Sequence, residues 1–220
     1  DTSQGLQDRK LGGIITLVER HLSSPKQGKY CPLCLRSSNY HRVDWIPRAM
    51  SICLDHQCLL LDRCPNCGQY VSVEEIVDRH CRRCESDLCT TDEIIVSGDE
   101  VGINSQQFLG YLLGLQKDLI VPEGSCLSEC RPAVAYQLVE SLQNYFLAGN
   151  NIWTYFPTPL HDLIFGREAM GEYAQAFQNF HSYRAVCAAL LDWPTGMFTF
   201  LDACKDSGLL SWGYKDFGKW

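Results

Sequence analysis

Metal-binding side chains occur in four closely spaced pairs between residues 31 and 84. Two residues separate the members of each pair, so that one tight turn can direct both side chains at a single ion. The pairs are Cys31 with Cys34, Cys53 with His56, Cys64 with Cys67, and Cys81 with Cys84. A structural zinc ion takes four sulfur or nitrogen ligands in a closed tetrahedron. The four pairs therefore predict two zinc sites, one from the first two pairs and one from the last two.

The residues around the pairs favour structural zinc. Pro65 follows Cys64 and Gly68 follows Cys67, which suits a turn that ends at positive φ and points N–H groups at the sulfurs. Each predicted site has four protein ligands and leaves no position for water, which a catalytic zinc normally keeps. We therefore favour two structural ions over a catalytic or redox role. Binding such an ion contributes about 10–16 kcal/mol at neutral pH, so each site should be needed for folding.

Three further side chains are alternative ligands. Cys58 or Cys89 could replace a neighbouring ligand, and so could His41, although it lies outside any tight pair. Most of the cysteines outside the two predicted sites are expected to be buried as small hydrophobic side chains. They are Cys58, Cys89, Cys126, Cys130, Cys187 and Cys204.

The 220-residue chain carries a net charge of −7 that is unevenly distributed. Residues 1–90 contain 12 Lys and Arg against 11 Asp and Glu, a balance of +1. Residues 91–220 contain 7 against 15, a balance of −8. This charge excludes the strongly basic class of nucleic-acid-binding proteins, so any contact with DNA would be local and in the N-terminal half.

The use of cysteine indicates a reducing compartment. CxxC pairs with a histidine partner are typical of metal sites rather than of a disulfide framework. No apolar run approaches the roughly 20 residues that span a bilayer, and no signal-peptide pattern opens the chain. We expect a soluble cytoplasmic protein without membrane contact.

The chain divides into four predicted regions. They are a helical lead-in (1–29), a double zinc-finger module (30–89), a linker (90–104) and a helical domain (105–220). The predicted fold class is a small zinc-ribbon module, with two zinc fingers and little strand, followed by a mainly α-helical domain. Within the module, residues 70–73 predict a strand and residues 74–77 a helical turn, and we expect Tyr40 and Trp45 to pack.

Apolar residues at helical spacing predict the helices. The stripes are Phe108, Tyr111, Leu112 and Leu115, and then Leu138, Leu142 and Phe146 within 134–146. Further helices are predicted over 6–22, 158–166, 168–183, 184–191 and 197–204. Residues 192–194 mark a break before the last helix, and a helix-turn-helix within 168–207 is compatible with the pattern.

Five arginines are candidate contacts to nucleic acid or to a protein partner. Arg79, Arg82 and Arg83 flank the pair at Cys81, where guanidinium groups could hold phosphate. Arg42 and Arg48 lie between the first two pairs. The alternative is that all five are ordinary solvated charges. Three phosphate contacts would give a salt slope of only about −3, so this group would assist binding rather than carry it.

Residues around the pairs form a series of motifs in a fixed order: Tyr30-Cys-Pro-Leu-Cys-Leu35, Tyr40-His-Arg-Val-Asp-Trp45, Cys53-Leu-Asp-His56, Leu60 and Cys64-Pro-Asn-Cys67. This series resembles the TniQ/TnsD family of transposon target-site selection proteins. It covers about residues 30–84 and implies that the eight paired residues form two zinc fingers. It also implies a bacterial, DNA-associated protein that recruits the AAA+ regulator TnsC and does not itself cut or join DNA.

From the residues and the resemblance together we expect a non-enzymatic adaptor in DNA transposition. The family selects target sites for transposons, including CRISPR-associated transposons. The expected partners are TnsC and target DNA, reached directly or through an RNA-guided complex, and a homodimer is left open. The alternative is a direct sequence-specific DNA reader with zinc fingers or a helix-turn-helix. A third hypothesis is a metal-dependent enzyme.

Overall fold

The computed structural model describes residues 27–116, 125, 127, 130–147 and 170–206. The predicted helices over 6–22 and 158–166 lie outside these residues, and so does Cys126. Among the described residues, no helix combines the length and apolar character needed to cross a membrane.

The N-terminal half contains little regular structure. Its helices are α1 (Pro32–Ser37) and α2 (Val73–Asp78), with single 3-10 turns at Val43–Trp45 and Leu88–Thr90. Strands β1 (Ile52–Cys53) and β2 (Cys58–Leu59) form an antiparallel pair, with Ile52 opposite Leu59 and Cys53 opposite Cys58. Few strands are thus present here, as predicted.

Helix α2 begins with a capping box. The Ser72 hydroxyl accepts a hydrogen bond from the Glu75 N–H at 3.2 Å, and the Glu75 carboxylate accepts one from the Ser72 N–H at 2.8 Å. These bonds satisfy N–H groups of the first helical turn and favour a helix from Val73 onwards. The predicted helical turn over 74–77 is confirmed. The predicted strand over 70–73 is wrong, because Tyr70 forms only an isolated bridge with Arg63.

The C-terminal part of the described chain is helical. Its helices are α3 (Glu100–Leu112), α4 (Pro132–Leu147), α5 (Met170–Leu191) and α6 (Thr195–Asp206). Residues 100–104, which the sequence assigned to a linker, form the first turn of α3. The helices predicted over 168–183 and 184–191 are one continuous helix, α5. The predicted break at residues 192–194 is confirmed, since Pro194 cannot continue the hydrogen-bonding pattern of α5.

The buried face of α4 differs from the predicted stripe. Leu138 is 40% exposed, whereas Tyr136 and Val139 are buried. The buried face includes the carboxylate of Glu140, which is paired with α5. Its Oε1 atom accepts a hydrogen bond from the Tyr183 hydroxyl at 2.5 Å and another from the Tyr136 hydroxyl of α4 at 2.8 Å. The apolar spacing in the sequence does not identify this face, because its polar side chains find their hydrogen-bond partners only in the folded chain.

Two apolar cores join the N-terminal half to the helices. The first contains the paired cysteines and residues 59–61 together with Ile103, Phe177 and Phe180 from α3 and α5. The second contains side chains of all four C-terminal helices together with Ala49 and Met50. Each core therefore takes residues from both predicted domains.

Candidate metal centres

The first two pairs meet in one cluster. The Cys34 and Cys53 sulfurs are 3.7 Å apart. The His56 Nδ1 atom lies 3.5, 3.3 and 3.6 Å from the sulfurs of Cys31, Cys34 and Cys53. The three cysteines are buried and His56 is exposed.

These distances fit a tetrahedral ion. Zn–S bonds of about 2.3 Å and Zn–N bonds of about 2.0–2.1 Å place two sulfurs about 3.8 Å apart, and a sulfur and a nitrogen about 3.6 Å apart. The nearly equal distances from Nδ1 to three sulfurs identify Nδ1 as the His56 atom placed to bind an ion, which the sequence alone does not specify.

Local backbone structure sets the geometry of the first cluster. Cys31 is the N-cap of α1, and its sulfur accepts a hydrogen bond from the Cys34 N–H at 3.4 Å. Cys53 ends β1 and His56 lies in the turn that leads to β2, where Gln57 has φ of 47°. The cluster thus joins a helix start to a hairpin turn.

Arg42 supports the first cluster. Its Nη1 atom lies 3.7 Å from the Cys34 sulfur and also donates to the Asp55 carboxylate, and Nη2 pairs with Asp44 at 3.5 Å. The hydrogen bond to Asp55 raises the pKa of Arg42. The guanidinium lies 6.0 Å from the centre of the buried Trp45 ring. Arg42 is one of the five candidate contacts to nucleic acid or a partner, and its guanidinium lies against the residues of the first cluster.

The last two pairs form the second cluster. The sulfurs of Cys64 and Cys84 are 3.6 Å apart, and so are those of Cys67 and Cys81. Both distances again fit a tetrahedral ion. The Ser86 hydroxyl lies 3.1 Å from the sulfurs of Cys64 and Cys84 and can donate a hydrogen bond to one of them. Ser86 was not among the predicted residues, since its only signal in the sequence is its position two residues after Cys84.

Two similar turns carry the second cluster. The Gly68 N–H donates to the Cys64 carbonyl at 2.9 Å, and the Glu85 N–H donates to the Cys81 carbonyl at 2.8 Å. Gly68 and Glu85, each directly after the second cysteine of a pair, have φ of 67° and 57°. The positive φ expected at Gly68 is therefore present, and Glu85 adopts the same conformation without glycine's freedom.

The eight predicted ligands thus form two groups of four that could hold two metal ions, and within each group the ligand atoms lie within 4.8 Å of one another. The three alternative ligands lie outside these groups. The Cys58 sulfur is 3.4 Å from that of Cys31, and the Cys89 sulfur is 3.7 Å from the Leu35 carbonyl. The His41 ring packs edge-on against Trp45, with ring centres 5.5 Å apart.

The other candidate arginines differ in their surroundings. Arg82 pairs with Glu74 at 2.8 Å and Asp78 at 3.7 Å. Arg79 is the C-cap that follows α2, with φ of 62°, and its Nε atom is buried. Arg48 and Arg83 are exposed. The five arginines therefore differ in exposure and in pairing, and they are not all solvated charges.

The remaining described cysteines are mixed in exposure. Cys187 and Cys204 are buried in the helical core, as expected, whereas Cys130 is exposed. Burial raises the pKa of Cys204 to about 11, which keeps it a thiol at neutral pH.

Comparison of the chain with models of known protein families, with curated proteins and with solved structures found no match.

Proposed function

We propose that this chain is a zinc-dependent, non-enzymatic adaptor in DNA transposition, which selects a target site and recruits the AAA+ regulator TnsC to target DNA. The observation that carries the proposal is the grouping of the eight paired ligands into two sets of four in chain order. That order, with the residues around it, is the basis of the resemblance to the TniQ/TnsD family.

Zinc is the ion that best suits these donors. Three thiolates with one imidazole, and four thiolates, are typical ligand sets of structural zinc. Calcium and magnesium prefer oxygen ligands, which neither cluster supplies. Four protein ligands per ion leave no coordination position for a reacting water, which supports a structural rather than a catalytic role.

The packing of the clusters supports a scaffold. The first core links the metal-binding residues to α3 and α5, so metal binding would stiffen a surface made of both halves. A rigid surface of this kind suits an adaptor because its contacts are already positioned before the partner arrives.

The arginines support partner recruitment over tight direct binding of DNA. Arg42 and Arg82 are each paired with two carboxylates, which a phosphate would have to displace. With a net charge of −7, the chain also lacks the long-range attraction that basic DNA-binding proteins use. Replacing Arg82 and Arg83 together should leave the zinc content unchanged and weaken the binding of the partner or of DNA.

Recruitment can be measured by capturing TnsC on immobilised duplex with and without the full chain. The duplex carries the target site of the transposon, and a scrambled duplex is the control. Treating the chain with a chelator and then restoring zinc tests the metal. We expect the chain to increase TnsC capture, the chelator to abolish the increase and zinc to restore it. Equal TnsC capture with and without the chain would contradict the proposal.

One observation favours the alternative, a direct sequence-specific DNA reader. Helices α5 and α6 are joined by three residues, 192–194, which is the connection length of a helix-turn-helix. The charge of α6 opposes this reading: Lys205 is its one cation, against Asp202 and Asp206. The purified chain should discriminate one duplex from random DNA at physiological salt if the alternative holds.

A further inference from the structure

Cys58 lies beside the first metal cluster without belonging to its four ligands. Its sulfur is 3.4 Å from the sulfur of Cys31. In the β1–β2 pair, Cys58 is also directly opposite Cys53, a second ligand of the same cluster. Directly opposed residues of an antiparallel pair share one face of the sheet, with Cβ atoms about 5 Å apart. Two independent relationships therefore place Cys58 next to two different ligands.

The ligand most open to replacement is His56. It is the exposed member of the first cluster, whereas its three cysteines are buried. His56 and Cys58 flank Gln57, whose φ of 47° reverses the chain between β1 and β2. The two side chains are thus separated by one residue, with His56 in the turn and Cys58 at the start of β2.

We propose that Cys58 is an auxiliary ligand of the first site and takes the fourth position when the imidazole of His56 does not hold it. The inference rests on metal binding as stated under the proposed function. Thiolate is a favourable zinc ligand, and the change converts a three-cysteine, one-histidine site into a four-cysteine site, both of which zinc accepts. The thiol proton is released to water when the sulfur binds the ion.

Backbone pairing allows this exchange without unfolding. Strand β2 is held on one side by β1 and on the other by the hydrogen bond from the Leu59 N–H to the Ile94 carbonyl at 2.9 Å. Since both edges of β2 are paired, the proposed exchange moves the Cys58 side chain and leaves its backbone in place. Cys89 is a matched control, since it is a nearby thiol outside both clusters whose sulfur faces the Leu35 carbonyl.

The test measures metal content and cobalt spectra of the full chain with His56→Ala, with Cys58→Ala, with both changes, and with His56→Ala plus Cys89→Ala. Each single variant and the Cys89 control should keep two ions per chain, and the double variant should keep one. In His56→Ala, cobalt at the first site should show stronger sulfur-to-metal charge-transfer absorption than in the unmodified chain, because a fourth thiolate replaces the imidazole.

Loss of the first ion from His56→Ala alone, folded or not, would overturn the auxiliary role while leaving the two metal sites of the unmodified chain intact. Equal metal content in His56→Ala and in the double variant would overturn it as well. Fewer than two ions in the unmodified chain would overturn the metal sites themselves, and the role of Cys58 with them.

Discussion

The side-chain amide of Gln106 in α3 hydrogen-bonds to the segment that leads into β1. Its Oε1 atom accepts from the Ser51 N–H at 2.6 Å, and its Nε2 atom donates to the Ala49 carbonyl at 3.1 Å. All three residues are buried, so water cannot replace the Gln106 amide as the hydrogen-bond partner of these backbone groups. The N-terminal half and the helices are therefore joined by polar contacts as well as by shared apolar cores.

We expect Gln106→Leu to lower the free energy of unfolding by about 1–3 kcal/mol, because the buried Ser51 N–H loses its partner and the Ala49 carbonyl keeps only the longer hydrogen bond from the Ser51 hydroxyl. Urea unfolding of the zinc-loaded chain measures the change. Gln107→Leu, the same substitution at the next and less buried position, should change it by at most about 0.5 kcal/mol. Equal midpoints for the two variants would contradict the junction role of Gln106.

Cys67→Ser should reduce the zinc content from two ions per chain to one, because three cysteines remain in the second cluster. The thermal midpoint of the helices, followed by far-ultraviolet circular dichroism, should fall as well, since residues of this cluster share a core with Phe177 and Phe180. Cys89→Ser should keep two ions. A helical midpoint that stays unchanged after loss of the ion would show that the helices fold independently of the second site.

Removing the carboxylate charge of Asp99 should destabilise the chain strongly. Arg184 Nε donates to both of its carboxylate oxygens, at 3.0 and 2.7 Å, and Asp99 is buried. Asp99→Asn leaves the guanidinium without its counter-charge and should lower the free energy of unfolding, measured in urea, by about 3 kcal/mol. Glu93→Gln breaks the exposed pair with Arg36 and should cost less than about 1 kcal/mol. Comparable losses of unfolding free energy in the two variants would be evidence that burial does not determine how much each ion pair contributes.

Lys29 should make stability depend on pH in the alkaline range. Burial lowers its pKa from 10.5 to about 7, and its ammonium donates to the Pro47 carbonyl at 2.7 Å. Between about pH 7 and 10.5 the unfolded chain binds the proton and the folded chain does not, so this group makes stability rise with pH. The difference in unfolding free energy between the unmodified chain and Lys29→Met should therefore grow in favour of the unmodified chain across this window. A difference that is constant with pH would contradict the assignment.

Arg42→Ala should weaken zinc binding at the first site by about 10–100-fold, because an outer partner of the ligand Cys34 is lost. Competition with a chromogenic chelator measures the affinity. Arg36→Ala removes an exposed arginine of α1 that binds backbone carbonyls and Glu93, and should leave the affinity within a fewfold. An unchanged affinity in Arg42→Ala would limit the role of Arg42 to its ion pairs.

The sequence predicted the two groups of four candidate ligands because the information is local. Two residues between paired ligands define a turn, and glycine after Cys67 suits its positive φ. The helical turn of α2 and the break after α5 are local too, since Ser72 with Glu75, and Pro194, act within a few residues. These parts follow from short-range sterics and hydrogen bonds.

Other features depend on segments that are distant in the chain. The sulfurs of Cys31 and Cys58 meet although 27 positions separate them, and Glu140 is satisfied by Tyr183, 43 positions away. Such contacts arise only when helices and turns pack together. This is why the apolar pattern misplaced the buried face of α4 and why the boundary between the two halves does not coincide with a boundary between cores.

The amino-acid sequence by itself thus determined which eight side chains form two groups of four that could hold metal ions, and where most of the described helices lie, because turns and periodicity are encoded over a few residues. Only the tertiary structure decided which nitrogen of His56 faces the sulfurs, which arginine supports them, and that both halves share their cores. Those outcomes depend on how complete elements pack, and packing is set by surfaces that no short stretch of sequence contains.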